Sequence, residues 1–327
     1  MSDLWWDKKR EERREMKGGW FWLLLLFWAL IGCGQPIGSQ VTFIETETAT
    51  AVLEPTPTLR VSTEVVQATS VSTSLPEATA VTVPSEAAVA DTGWDSLQTG
   101  LEKRVIRLEP IVSTTGSNRG AEIVYMLRVD PAHFLFDVGY AAGNPKLLAE
   151  WQAESGAQIV VNGGFFTPEQ TATALVIDDN QVIGSSYVGF GGMIGIDAAG
   201  VTLLDLARQP YTGGEGFAEG MQSFPMLVLP GGELGFPADL ESGRVARRTV
   251  IGIDQTGRVL LIITPRGAFT LHQLSRYLVE SDFELDMALN LDGGPSSGIL
   301  LQNATGVEGY AAYTAVPLVL LVRPRVE

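Results

Sequence analysis

The sequence predicts an α+β domain: a mixed, mostly antiparallel sheet with a few packed helices, a single domain behind a disordered tether. Three observations carry this. Short apolar or alternating runs recur from position 121 onward, only two segments have helical spacing, and their order is not a regular βαβ alternation.

The elements follow in order. Residues 121–130 (AEIVYMLRVD) and 133–138 (HFLFDV) read as strands. In 145–156, Leu148, Trp151 and Gln152 stand at helical spacing, with Pro145 suited to the first turn and Gly156 to the C-cap. AQIVV (157–161) is a short buried strand running into Asn162-Gly163-Gly164-Phe165-Phe166. Two hairpins, 193–206 and 250–263, share I-G-I-D-x-x-G, with Asp opening the turn and Gly closing it; the likeness reads as converging turn chemistry. Residues 270–281 place Leu271, Leu274, Leu278 and Tyr277 on one face of an amphipathic helix. The run 287–291 is a buried strand that admits one amide, Asn290, and 315–322 is the closing strand.

The first hundred residues differ in character. Residues 1–17 hold six Lys/Arg among five acids, followed by the charge-free WFWLLLLFWALI of 20–31 and then Gly32-Cys33. A basic flank, a short apolar core and a small residue are the grammar of an export signal, and the core falls short of the roughly 20 residues that cross a bilayer. Leu30-Ile31-Gly32-Cys33 resembles a bacterial lipobox, which makes Cys33, the sole cysteine, the lipidation site. The alternative is an uncleaved membrane anchor; either reading puts the rest outside the cytoplasm. The expected organisation is a signal segment 1–33, a Ser/Thr/Pro-rich linker 34–100 and a domain 101–327, held in the cell envelope by an N-terminal lipid.

Formal charge is −16; removing residues 1–32 takes away six bases and five acids and leaves −17. Nucleic acid is therefore disfavoured as a partner, because its binding rests on clustered Lys/Arg. There is no P-loop and no HExxH, and His133 and His272 are the only histidines, so a His-rich metal site is impossible. With no cysteine beyond Cys33, thiolate catalysis and zinc–sulfur sites fall away too. No cofactor is predicted; the acidic loops leave a structural Ca²⁺ open, although no EF-hand pattern occurs.

Two strand-end motifs remain. VVNGGFF and LNLDGGPSS each set one amide or acid at the end of an apolar strand, before paired glycines. Asn162 with Gly163 and Gly164, and Asp292 with Gly293 and Gly294, would then present a side chain beside main-chain N–H donors that a ligand can approach. Asn290 stands two residues before Asp292 within the second motif, and Ser296 and Ser297 add hydroxyls. The alternative is two plain Asx-Gly turns. Arg244, Arg247 and Arg248 cluster before a strand, as a fork for phosphate or carboxylate or as a charged strand entrance.

Together, Asn162–Phe166, Gln222-Ser223-Phe224-Pro225-Met226-Leu227-Val228, Arg247-Arg248-Thr249-Val250-Ile251-Gly252, the helix from Thr270 and Ala288–Ser297 resemble, in this order, the phosphodiester glycosidase family. Pro295 stands where the family pattern carries a third glycine, which removes one N–H there. The resemblance implies hydrolysis of a sugar-1-phosphodiester at the anomeric carbon. It gives Asp292 the role of general base or nucleophile and Arg248 that of stabilising the departing phosphate. Asn162 and Gln222 are then expected at the sugar, and Thr249, Ser296 and Ser297 at the sugar or phosphate. Glu215 and Glu219 are candidates for a second carboxylate. Another class of function stays open: a non-catalytic envelope lipoprotein that binds glycan or polymer through the same pocket. A third is a plain O-glycosidase, for which Arg248 would matter little.

Overall fold

The computed structural model describes residues 81–82, 90–109 and 121–325. All belong to one compact unit, Thr73–Glu327. The expected export segment, Cys33 and most of the expected linker lie outside the described residues. No helix among the described residues is long and apolar enough to cross a membrane.

In chain order the strands are β1 (Val81–Thr82), β2 (Asp95–Gln98), β3 (Leu101–Leu108), β4 (Glu122–Val129), β5 (Phe134–Tyr140), β6 (Ile159–Asn162), β7 (Val176–Asp178), β8 (Gln181–Ile183), β9 (Gly192–Asp197) and β10 (Gly200–Asp205). They continue with β11 (Glu219–Ser223), β12 (Met226–Leu229), β13 (Glu233–Leu234), β14 (Arg248–Asp254), β15 (Val259–Thr264), β16 (Leu285–Asn290), β17 (Ile299–Asn303), β18 (Gly306–Tyr310) and β19 (Leu318–Pro324). The two α-helices among the described residues are α1 (Leu148–Ser155) and α2 (Leu271–Glu280).

These strands form three sheets. Eight strands run β13-β12-β16-β14-β15-β4-β3-β2, six run β1-β18-β17-β6-β19-β5, and five run β10-β9-β11-β7-β8. Apart from the parallel β1–β18 pair, every pairing found is antiparallel. The predicted antiparallel character is present, but helix is sparser than an α+β label implies.

Apolar positions alternating along the strands bury one central core. Leu127 and Leu261 of the eight-stranded sheet, Val161 and Leu320 of the six-stranded sheet, and Ile194 and Met221 of the five-stranded sheet meet there. On the outer face of the eight-stranded sheet, Leu274 and Leu278 of α2 cover Val250, Leu260 and Ile262. On the outer face of the six-stranded sheet, Leu148 and Trp151 of α1 cover Val160 and Leu321. Burying each such side chain contributes roughly 1.5–3 kcal/mol.

Helix α1 starts later than the sequence suggests, because Lys146 is held in a β-bridge to Val316 and Glu150 takes up the Leu147 N–H at 2.7 Å. Its end is as read, with Gly156 at φ 66° and its N–H on Gln152 O. Helix α2 opens with a reciprocal cap: Gln273 N–H donates to Thr270 Oγ1, and Thr270 N–H to Gln273 Oε1. The two similar hairpins fall in different sheets, β9–β10 in the five-stranded and β14–β15 in the eight-stranded. That is the arrangement converging turns would give.

The sheet begins before position 101. Asp95–Gln98 pairs with β3, Asp91 bridges Ile106, and Trp94 lies under the Arg128 guanidinium at 4.0 Å. The short segment Asp95–Gln98 is an edge strand, which needs only one apolar face.

Candidate active site

The site forms where the chain leaves one sheet for another. Strand β16 pairs with β14 inside the eight-stranded sheet; β17 pairs with β6 inside the six-stranded one. The segment 291–298 makes that crossing. Leu291 N–H still donates to Thr249 O in the first sheet at 2.8 Å, whereas Asp292 N–H already donates to Gly163 O at the end of β6 at 3.0 Å. A two-residue turn would return the strand to its own sheet. The longer Asp-Gly-Gly-Pro-Ser-Ser run carries it across.

Asn162 joins the two sides. Its Nδ2 donates to Asp292 O (2.8 Å) and Gly163 O (3.3 Å), while its Oδ1 accepts from Thr249 Oγ1 (2.8 Å) and Gly298 N–H (2.9 Å). Every donor and acceptor of the amide is thus used within the fold, and Asn162 is only 1% exposed. The sugar contact expected for Asn162 is therefore replaced by a structural one. Thr249 is fully buried in the same hub.

The first glycine pair serves packing. A Cβ on Gly163 would lie 2.7 Å from Leu318 Cγ, and one on Gly164 would run into the Gln222 carbonyl. Neither has positive φ. The Gly163 N–H is also spent, on Leu318 O at 2.8 Å. In the second pair, Gly294 does adopt φ 64°, but its N–H donates to Arg247 O and that of Gly293 to Asp292 Oδ1. The expected row of free main-chain donors is thus taken up internally at Gly163, Gly293 and Gly294.

Asp292 and Arg248 share one cleft of about 300 Å³. Its wall also includes Phe165, Phe224, Pro225, Ser242, Arg244, Asn290, Gly293, Gly294 and Pro295. Burial pushes the Asp292 carboxyl above the usual carboxylate range, opposed by the hydroxyl of Ser296 and the N–H of Gly293. Ser296, buried itself, thus orients the carboxylate. Ser297 is fully buried, with its hydroxyl unpartnered, and is not part of the cleft wall.

Arg248 opens β14 and packs over the second glycine pair; a Cβ on Gly293 would sit 3.6 Å from its Nη1. Its Nη2 donates to Arg244 O at 3.1 Å, and its buried Nε has no partner. Burial pushes its pKa down; the charge of Glu241 opposes this and that of Arg244 reinforces it. No carboxylate among the described residues is in ion-pair contact with it, so the guanidinium retains donor capacity toward the cleft. Glu241 is itself engaged. Burial raises its pKa, but the His272 N–H, the Thr270 hydroxyl and the N–H groups of Gly243 and Ser242 outweigh this and hold it low.

Arg247 points elsewhere, stacking on Tyr313 at 3.9 Å and donating to Ala311 O at 3.0 Å. Gln222 also lies away from the cleft: its Oε1 accepts from Tyr187 N–H (2.8 Å) and its Nε2 donates to Ser186 Oγ (2.8 Å). Neither candidate second carboxylate is on the cleft wall. Glu215 binds Thr212 in its own loop. Glu219 receives the Asp179 N–H, and burial together with Asp137, Asp178 and Asp179 pushes its pKa up to about 7. Among the described residues, no group of three or more His, Cys, Asp and Glu is placed to hold a metal ion.

Phe165 and Phe224 are wall residues to which the sequence reading assigned no role. Their signal was present, since both lie inside the segments that carry the family resemblance, Asn162–Phe166 and Gln222–Val228.

A largely antiparallel domain thus brings a carboxylate and an arginine to one sheet-crossing cleft. The family model for phosphodiester glycosidases matches residues 155–323, and the chain belongs to that family. No curated protein matches it. Among solved structures, the zebrafish N-acetylglucosamine-1-phosphodiester alpha-N-acetylglucosaminidase catalytic domain, auto-inhibited by its pro-peptide, aligns with TM-score 0.53 at 18% identity, over 72% of this chain and 89% of that one. A hypothetical protein from Synechocystis aligns with TM-score 0.51 at 14% identity, over 69% of this chain and 62% of that one. At these identities the likeness is one of fold.

Proposed function

We propose that the domain hydrolyses sugar-1-phosphodiesters at the anomeric carbon, releasing free sugar and a phosphomonoester. The observation that carries this is the single cleft shared by Asp292 and Arg248. In the reaction Asp292 takes a proton from a water whose oxygen bonds to C1 as the bond from C1 to the bridging oxygen breaks. Alternatively, Asp292 attacks C1 itself with the same bond breaking, and water then hydrolyses the glycosyl ester to release the sugar. The electron pair leaves on the phosphate, and Arg248 offsets the charge that develops there. Glycosidases ordinarily need a second carboxylic acid to protonate the leaving group. A phosphate leaving group departs as a stable anion, which fits a wall whose only carboxylate among the described residues is Asp292. Ser296 orients that carboxylate; Asn162 and Thr249 fix the backbone that carries it.

The same single carboxylate also favours a second reading, a glycan-binding envelope module without turnover. Incubating the purified protein with a panel of sugar-1-phosphodiesters and uncharged glycosides separates them. Release of sugar from the phosphodiesters alone, reduced about 10²–10³-fold in Arg248→Ala, is the expected result. Binding with no product from any substrate establishes the module instead, and equal turnover of uncharged glycosides by wild type and Arg248→Ala establishes a plain O-glycosidase. Attachment to an envelope membrane through a lipid on Cys33 belongs to the same proposal, and metabolic labelling with a radioactive fatty acid, lost in Cys33→Ser, tests it.

A further inference from the structure

The proposed chemistry leaves the aromatic part of the cleft without a task. Phe165 and Phe224 stack at 4.4 Å on its wall. Tyr187 and Phe190 extend them, each edge-on to Phe224, at 5.6 and 5.9 Å. Phe224 is 36% exposed and Phe190 49%. Clustered rings open to water at a cleft mark a contact surface more than a core. They are held firmly: Gln222 fastens Ser186 and Tyr187, and the Tyr187 hydroxyl bonds Thr173 Oγ1 at 2.8 Å. At the foot of this wall, Asn290 gives both amide hydrogens away, to Phe224 O (2.9 Å) and Leu291 O (2.8 Å). Its Oδ1 stays buried and unpartnered on the cleft, and so calls for a donor from a ligand.

The order of groups fixes a direction. Asn290 is tied to Phe224, Asp292 comes next, and Gly293 lies against Arg248. In a sugar-1-phosphodiester the order is ring, C1, bridging oxygen, phosphorus, aglycone. With C1 at Asp292 and phosphorus at Arg248, the ring extends toward the phenyl groups and the aglycone toward Ser242 and Arg244. Aromatic faces carry negative charge density, which repels phosphate and suits the C–H face of a pyranose.

Resting on the proposed hydrolysis, we infer that Phe165 and Phe224, with Tyr187 and Phe190 held in place by Gln222, form the glycone subsite. It takes a neutral pyranose by one apolar face and receives a hydroxyl or amide N–H donor on Asn290 Oδ1. Gln222 is then a positioning residue that acts through the aromatic loop.

The test compares Phe224→Leu, Phe190→Ala and Gln222→Ala with wild type, reading binding of N-acetylglucosamine, glucose and inorganic phosphate by NMR titration, alongside KM and kcat for any phosphodiester turned over. Phe224→Leu is expected to weaken sugar binding and raise KM about tenfold with phosphate binding unchanged. Phe190→Ala, at the rim, and Gln222→Ala move the same quantities by less and leave kcat near wild type. Unchanged sugar binding in both Phe224→Leu and Phe190→Ala overturns the subsite, as does an equal loss of sugar and phosphate binding. Sugar binding by wild type with no turnover sinks the hydrolysis and keeps the subsite; turnover with no measurable sugar binding does the reverse.

Discussion

Asn162-Gly163-Gly164 and Asp292-Gly293-Gly294 look like copies of one device, yet the fold uses them in opposite ways. Both end an apolar strand, and both meet at the crossing between sheets. Asn162 turns inward, and its amide is saturated by Asp292 O, Gly163 O, Thr249 Oγ1 and Gly298 N–H. Asp292 turns to the cleft and keeps one oxygen engaged by Gly293 N–H. The difference follows from charge. An amide supplies two donors and two acceptors and can be satisfied by four neutral partners. A carboxylate buried there would be uncompensated, so the acid belongs on the side open to a ligand.

Exchanging acid and amide should show this asymmetry most strongly. Asp292→Asn keeps the shape and removes the charge, so turnover is expected to fall by about 10²–10⁴-fold in a product-release assay. The same change should raise the melting temperature at pH 7. The folded pKa of Asp292 lies above the unfolded value, so its folded state binds the proton more tightly. Its ionisation therefore costs stability at pH above that raised pKa, and wild type regains the difference as pH falls through it. A melting-temperature gap between Asp292→Asn and wild type that failed to shrink on acidification would count against the buried carboxylate.

The reverse exchange, Asn162→Asp, retains acceptors for Thr249 and Gly298 but loses the donors to Asp292 O and Gly163 O and buries a charge. A destabilisation of about 2–4 kcal/mol is expected in urea unfolding, with activity lost through displacement of Asp292. Gly164→Ala presses a methyl group on the Gln222 carbonyl and should cost about 1–3 kcal/mol by the same measurement. Gly294→Ala at φ 64°, with nothing within 4 Å of the new Cβ, should cost about 1 kcal/mol. Thr249→Val is expected to be comparably mild, about 1 kcal/mol through the lost bond to Asn162, with KM unchanged.

Much of the site was legible because a few residues have little else to do. An acid and two glycines ending a buried strand pointed to Asp292, and the family resemblance picked Arg248 from the cluster Arg244, Arg247 and Arg248; both line the same cleft. Which amide keeps an unpartnered acceptor was not legible. Asn162, Asn290 and Gln222 all sit on buried strands, yet only Asn290 is left with a free acceptor on the cleft. That depends on partners distant in sequence, such as Gly298 for Asn162 and Tyr187 for Gln222. Strand β2 was missed for a similar reason: Asp95–Gln98 has no apolar run of its own and is a strand by virtue of pairing with β3.

Sequence alone determined the local matters: alternating strands, Asp-led hairpin turns, the glycine cap of α1 and the Thr270–Gln273 cap of α2. These depend on residues within a few positions of one another, where steric and hydrogen-bonding rules act without help. The tertiary structure decided the rest. The seam between the eight- and six-stranded sheets makes one strand end a staple and turns the other to the cleft. It gathers Phe165, Phe224 and Arg248 around Asp292, because only folding sets which of the chain's many polar groups find a partner and which are left for a ligand.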